Sequence, residues 1–278
     1  MKKNILQFTI LFALCLASIF SIAQNDLAML ASLSEKSIET DGKNEVLPKR
    51  LERKYKRDAA RLALRMEASE DELRYGNIMI PRENIESIFN ILSSVYFSDE
   101  TAKSIARCNV HTFPNPSIDH CKIIFDRNVD WAEPLREGIT ETNSDEINDL
   151  LDEYDLIIET HERWTDDQDV IVIRSKEPIN MAAISNEFYN VEGVVEVDLG
   201  IPEIGGNDIN ISRLDGGWQI VYTLTIGGAY SKEGSKKHIW TYKALDNGVI
   251  TFISEIGDPI PAWMKCDLPK DINLANKG

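Results

Sequence analysis

Between Cys121 and Leu199 the chain alternates between strand-like and helix-like hydrophobic periods in an order that few folds satisfy. Cys121 to Asp126 reads as a strand. A helix follows from about Asp145 to Tyr154, with Asn143 or Ser144 as its cap and Ile147, Leu150, Leu151 and Tyr154 on its inward face. Leu156 to Glu162 and Val170 to Arg174 are two strands joined by the acidic turn Asp166-Asp167-Gln168-Asp169. A second helix, about Met181 to Tyr189, takes Asn180 as its cap, and Val194 to Leu199 is the closing strand. The order β-α-β-β-α-β predicts the ferredoxin-like, split βαβ arrangement, in which two helices cover one face of a four-stranded antiparallel sheet. Residues 118–200 are assigned to that unit.

The flanks differ in kind. A helical segment over 48–117 starts at Pro48, since proline is tolerated in a first helical turn. Leu51, Tyr55, Ala59, Leu62 and Met66 form one apolar stripe, and Gly76 ends it. Pro81 opens a second helix with Ile85, Ile88, Phe89, Leu92 and Tyr96 on one face, and Ser98 is the expected cap of a third through Ala106. Residues 207–264 read as an antiparallel meander. Its two hairpins are Ile209–Leu214 with Trp218–Ile226 around Asp215-Gly216-Gly217, and Ile239–Ala244 with Val249–Ile256 around Asp246-Asn247-Gly248. Trp218, Ile220, Tyr222, Leu224 and Ile226 alternate strictly, with Trp240 and Tyr242 expected on the same face. Such a sheet needs a cover, and the Pro48 helix is the candidate. The fold class is therefore α+β.

The run from Ile147 to Leu199, closing on Val191-Glu192-Gly193-Val194-Val195-Glu196-Val197-Asp198, resembles the second half of a subtilase propeptide domain. That resemblance implies the propeptide's fold over about 50 residues; no subtilase catalytic domain follows. In such propeptides the residues after the last strand enter the protease cleft. Here Gly200 to Gly206 lead into the meander and are tethered at both ends, so the expected role is a scaffold that does not inhibit subtilisin-like proteases. The phrases Asp58-Ala59-Ala60-Arg61-Leu62-Ala63-Leu64-Arg65 and His111-Thr112-Phe113-Pro114-Asn115-Pro116 are similar to exported proteins of Bacteroidetes-type bacteria, a likeness that implies an address and no activity.

The address is also legible at the amino end. Lys2 and Lys3, the charge-free run Ile5 to Ile22 and the small residues Ser21 and Ala23 make a signal peptide over 1–23, cleaved after Ala23. A retained anchor and a lipoprotein cut before Cys15 are the competing readings. Residues 24–47 form a polar leader and 265–278 a tail. Cleavage removes two lysines and shifts the formal charge of −16 to −18, which disfavours nucleic acid and anionic membrane surfaces as partners. The expected compartment is periplasmic or extracellular, with no transmembrane anchor after processing. Three cysteines then remain. Cys108 and Cys121 are the favoured disulfide because they bracket a short turn-rich loop, whose closure stabilises by about 3 kcal/mol in the chain-entropy model; pairings with Cys266 stay open.

Catalytic spacing is not found. There is no G-x-S-x-G, H-E-x-x-H, P-loop or EF-hand pattern, and no cofactor is implied. Cys108, His111, His120 and Cys121 form a C-x2-H-x8-H-C array of legitimate zinc ligands, but an oxidising compartment favours a disulfide, and no metal site is assigned. The acid pairs Asp152/Glu153 and Glu159/Glu162 are expected on solvated surface in a chain with 46 acidic residues. Eight basic residues from Lys49 to Arg65 (Lys49, Arg50, Arg53, Lys54, Lys56, Arg57, Arg61, Arg65) make either a docking strip for an anionic partner or a face that pairs with the protein's own acids. Trp218 and Trp240 read as core in preference to a sugar platform. The leading expectation is an exported, non-enzymatic module that binds a protein or small molecule; the alternative is a secreted hydrolase whose acidic catalytic residues are scattered through the fold. Mass spectrometry of the exported protein should give a mature chain beginning at Gln24, and retention of Met1 to Ala23 would refute the cleavage site.

Overall fold

The computed structural model describes residues 46–67, 69–202, 205–227, 235–261, 263–264 and 266. The expected signal peptide, all of the leader before residue 46 and, Cys266 apart, the tail after residue 264 lie outside the described residues. The fold is α+β, with amino-terminal helices and two antiparallel four-stranded sheets.

Helix α1 (Lys49–Glu67) begins directly after Pro48, whose carbonyl accepts from the Glu52 N–H. Leu51, Tyr55, Ala59 and Leu62 are buried as their spacing requires, whereas Met66 is exposed because the last turn runs past the core. A short helix not expected from the sequence, α2 (Glu70–Arg74), follows, its start fixed by the Glu72 carboxylate accepting from the Ser69 N–H. Next come α3 (Arg82–Ser98) and α4 (Glu100–Arg107). The cap of α4 is Asp99 instead of the expected Ser98. The Asp99 carboxylate accepts from the Ala102 N–H, while the Ser98 hydroxyl turns back to the Val95 carbonyl.

The carboxyl-terminal sheet is the expected meander, β5 (Asp208–Leu214), β6 (Gly217–Ile226), β7 (Lys236–Leu245) and β8 (Ile250–Gly257), in that spatial order. Leu214 faces Gly217 across a two-residue turn at Asp215 and Gly216, and Gly216 takes φ +71°, which non-glycine residues rarely adopt. Ile220 faces Tyr242 and Tyr222 faces Trp240, so the alternating series forms one buried face. That face packs on α1 and α3 in a single core. Tyr55, Leu62, Leu92, Tyr222 and Tyr242 are fully buried there, each worth about 1.5–3 kcal/mol of burial.

The second sheet is built from β1 (His120–Asp126), β2 (Leu156–Arg163), β3 (Gln168–Ser175) and β4 (Val194–Asp198), in the order β2-β3-β1-β4 with all neighbours antiparallel. A single-turn helix α5 (Glu133–Arg136) precedes α6 (Asp145–Glu153), capped by Ser144, and α7 (Met181–Tyr189) follows β3. Ile147 of α6 and Met181, Ile184 and Phe188 of α7 close over Cys121, Ile123, Phe125, Ile171 and Ile173, giving the ferredoxin-like arrangement and the second core. Asn180 joins the two halves. Its buried side chain caps α7 through the Ala182 and Ala183 N–H groups and donates to the carbonyls of Leu73 and Asn77.

The cysteine pairing differs from expectation. Cys108, at the end of α4, is bonded to Cys266, because the segment after β8 returns over the helical core through Ile260 and Met264. Cys121 cannot reach Cys108: on β1 its side chain points, like Ile123, into the core under α6 and α7, and it is free and fully buried. Burial pushes its thiol up to about 12, so at pH 8 it is held as the unreactive thiol. Alkylation of the native protein at pH 8 should leave Cys121 unmodified and label it after denaturation without reductant, and non-reducing peptide maps should link Cys108 to Cys266; a Cys108–Cys121 peptide would contradict the structure.

Candidate functional site

The basic face of α1 is the first candidate, and the structure turns only its carboxyl-terminal part, Arg61 and Arg65, inward. Arg57, Arg61 and Arg65 recur every four residues, and together with Asp58 they meet the loop from His111 to Asp119. Arg61, which is buried, donates from Nε to the Pro116 carbonyl at 3.0 Å and from a terminal nitrogen to the Thr112 hydroxyl at 2.8 Å. Burial pulls this guanidinium down to about 10, against the opposing pull of Asp58 and Asp119, so it stays charged at neutral pH. Arg65 donates to the carbonyls of Asn115, Phe113 and Ile209 and to the Asp208 carboxylate, and Arg57 pairs with Asp119. Asp58 accepts from the Thr112 N–H at 2.9 Å and the Thr112 hydroxyl at 2.7 Å, and its other oxygen lies 2.6 Å from Nδ1 of His111. Lys54 bonds to Asn109 and Lys56 to Glu52; of the eight basic residues Lys49, Arg50, Arg53, Lys56 and Arg57 are exposed, Lys54 and Arg65 are half-buried and Arg61 is buried. Most of the strip is thus occupied by the protein's own oxygens. A cleft of about 410 Å³ opens beside it, lined in part by Arg65, Phe113, Asn115 and Asp208, all engaged in this network.

The C-x2-H-x8-H-C array is taken apart by the fold. Cys108 is in the disulfide, Cys121 is in the core, His111 sits on Asp58, and His120 bonds to Asp119 at 3.0 Å. Among the described residues no group of three or more His, Cys, Asp or Glu side chains is placed to hold a metal ion. All four histidines lie against carboxylates, the other two being His161 with Asp169 at 3.3 Å and His238 with Glu255 at 2.8 Å. Asp119 is disfavoured as an anion by burial, but the His120 hydrogen bond and the Arg57 charge outweigh this and hold it below the usual carboxylate range. Asp169, expected in the acidic turn, lies on β3 and is buried under Arg127, Arg136 and His161.

The remaining sequence candidates are surface or core. Asp152 and Glu153 are exposed on α6; Glu159 and Glu162 are exposed on β2, where Glu159 bonds to Arg174 at 2.8 Å. Trp240 is buried, and Trp218 is half-buried beneath the Arg213 guanidinium, 4.8 Å from its ring centre.

One feature escaped the sequence. A groove of about 640 Å³ runs between α6, the loop before it and the start of β2, lined by Glu141, Asn148, Leu151, Asp152, Leu156 and Ile158 among others. Leu151 and Ile158 are only partly buried against the second core and give the otherwise polar groove an apolar strip. Glu141 and Asp152 are exposed at the rim. β2 is the outermost strand of its sheet there, a placement that follows from strand order and is invisible to hydrophobic period. No protein-family model, curated protein or solved structure matches the chain.

If the α1 network is structural, cutting its buried anion must cost stability. Asp58→Ala leaves the Thr112 donors unpaired and should lower the unfolding free energy by about 3 kcal/mol, a fall in Tm of about 6–12 °C. Calorimetry should show that loss for Asp58→Ala and none for Asp152→Ala on the exposed face of α6; equal melting of both would refute the assignment.

Proposed function

We propose that the chain is an exported, soluble and non-enzymatic interaction module whose partner seats in the groove between α6 and β2. The observation that carries this reading is an open groove in which the partly exposed Leu151 and Ile158 lie beside the exposed carboxylates Glu141 and Asp152. Export is supported by the amino-terminal pattern and agrees with a disulfide between Cys108 and Cys266. No helix among the described residues is long and apolar enough to cross a membrane. The ferredoxin-like unit serves as a scaffold for the groove and does not inhibit subtilisin-like proteases, because its closing strand continues into the meander.

Selection of a displayed peptide library on the mature protein tests the reading. Sequences enriched on the wild type should lose about tenfold or more in affinity for the double variant Glu141→Lys, Asp152→Lys, whose changes are exposed and spare the core. Ligands that bind both proteins equally, or that are hydrolysed by the wild type, would overturn it.

A further inference from the structure

Resting on the groove as the binding site, we infer that its ligand is an extended basic peptide that adds to the sheet as a strand beside β2. The register determines which backbone groups are available. The Ser175 N–H donates to the Asp119 carbonyl, so Ser175 directs its backbone groups towards the β1 side, and the Gln168 carbonyl accepts from Trp164, so Gln168 directs its own towards β2. Backbone direction alternates along a strand. Ser175, Ile173, Ile171 and Asp169 therefore face β1, and their partners on β2, which are Leu156, Ile158, His161 and Arg163, must turn their N–H and C=O groups outward. β2 has only β3 as a strand neighbour among the described residues.

The outward ladder has two regular stretches, Leu156 with Ile158 and His161 with Arg163, and the first lies along the groove. Leu156 and Ile158 are spaced by two; then a bulge between Ile158 and Thr160 breaks the spacing before His161. The bulge interrupts pairing between the two stretches, so a strand seated in the groove pairs with Leu156 and Ile158 and stops before His161. That stretch forms one wall of the groove, with Leu151 on the floor and Glu141 and Asp152 at the rim. Every open sheet has edges; here the edge is accompanied by a channel that takes alternate side chains of an added strand. Main-chain bonds supply attachment and the channel supplies selectivity. Asp149 and Glu153 are exposed on the same helix, while Asp155 is paired with Lys176, so with Glu141 and Asp152 at the rim the side chain that complements this end is basic.

The probe is a blocked seven-residue peptide in which lysine and valine alternate with threonine, titrated into the mature protein with NMR detection. The amides of Leu156 and Ile158 should exchange more slowly in its presence, and replacing its lysines by glutamates should weaken binding by about tenfold or more. N-methylation at alternate peptide amides then separates the two registers. One set should weaken binding by about tenfold or more and the set shifted by one residue should not, because only one faces β2. Failure of the lysine peptide to bind, a glutamate peptide that binds as well, unchanged exchange at Leu156 and Ile158, or equal effects of both methylated sets would each overturn strand addition. If such a peptide still loses its affinity in the double variant Glu141→Lys, Asp152→Lys, the groove stands as the binding site and only the strand geometry falls.

Discussion

The structure depends on one buried carboxylate. Asp58 lies on the inward side of α1 and holds the backbone and hydroxyl of Thr112, and the same hydroxyl takes a bond from Arg61. Through that contact the helix fixes the loop between α4 and β1, which leads the chain from one core to the other. Arg65 extends the grip to Asp208 at the start of the meander, and Arg57 extends it to Asp119 before β1. Three arginines at four-residue spacing thus orient both sheets against a single helix. Guanidinium groups suit this work because several donors in a rigid plane can take several carbonyls at once, whereas an ammonium offers a point charge.

The same logic explains how an acidic chain uses its few cations. In a protein of net charge −16, the residues with most to gain from burial beside an anion are the basic ones. Arg127, Arg136 and His161 gather on Asp169, and Arg174 bridges towards Glu159 and Asp119. Among the acids left at the surface, Glu141, Asp149, Asp152 and Glu153 stand exposed on and before α6.

The fold was legible wherever hydrophobic period alone decides an element. The β-α-β-β-α-β order, the helical stripe of Leu51 to Leu62 and both hairpins of the meander all appear where the spacing of apolar residues puts them. The misreadings share a different cause. Ser98 and Asp99 are both good caps, and only the chain's path selects the second. Cys108 and Cys121 are close in sequence but lie on opposite cores, a separation set by which face of β1 is covered. The basic strip offers a choice between an anionic partner and the protein's own acids, and in the structure its arginines divide between the carboxylates of Asp119 and Asp208 and backbone carbonyls of a distant loop, which no charge count reveals. The groove was not legible at all, since it depends on β2 being outermost, a property of topology alone.

The disulfide has a consequence for the order of events during synthesis. A chain made from its amino end presents Cys108 and Cys121 long before Cys266 exists, and these two stand only 13 positions apart. The nearer thiol is the wrong partner. What keeps it from reacting is the closure of α6 and α7 over β1, which buries Cys121 using residues that also precede Cys266. In the folded chain the ferredoxin-like unit keeps the nearer thiol out of reach, and Cys108 is left to the distant Cys266.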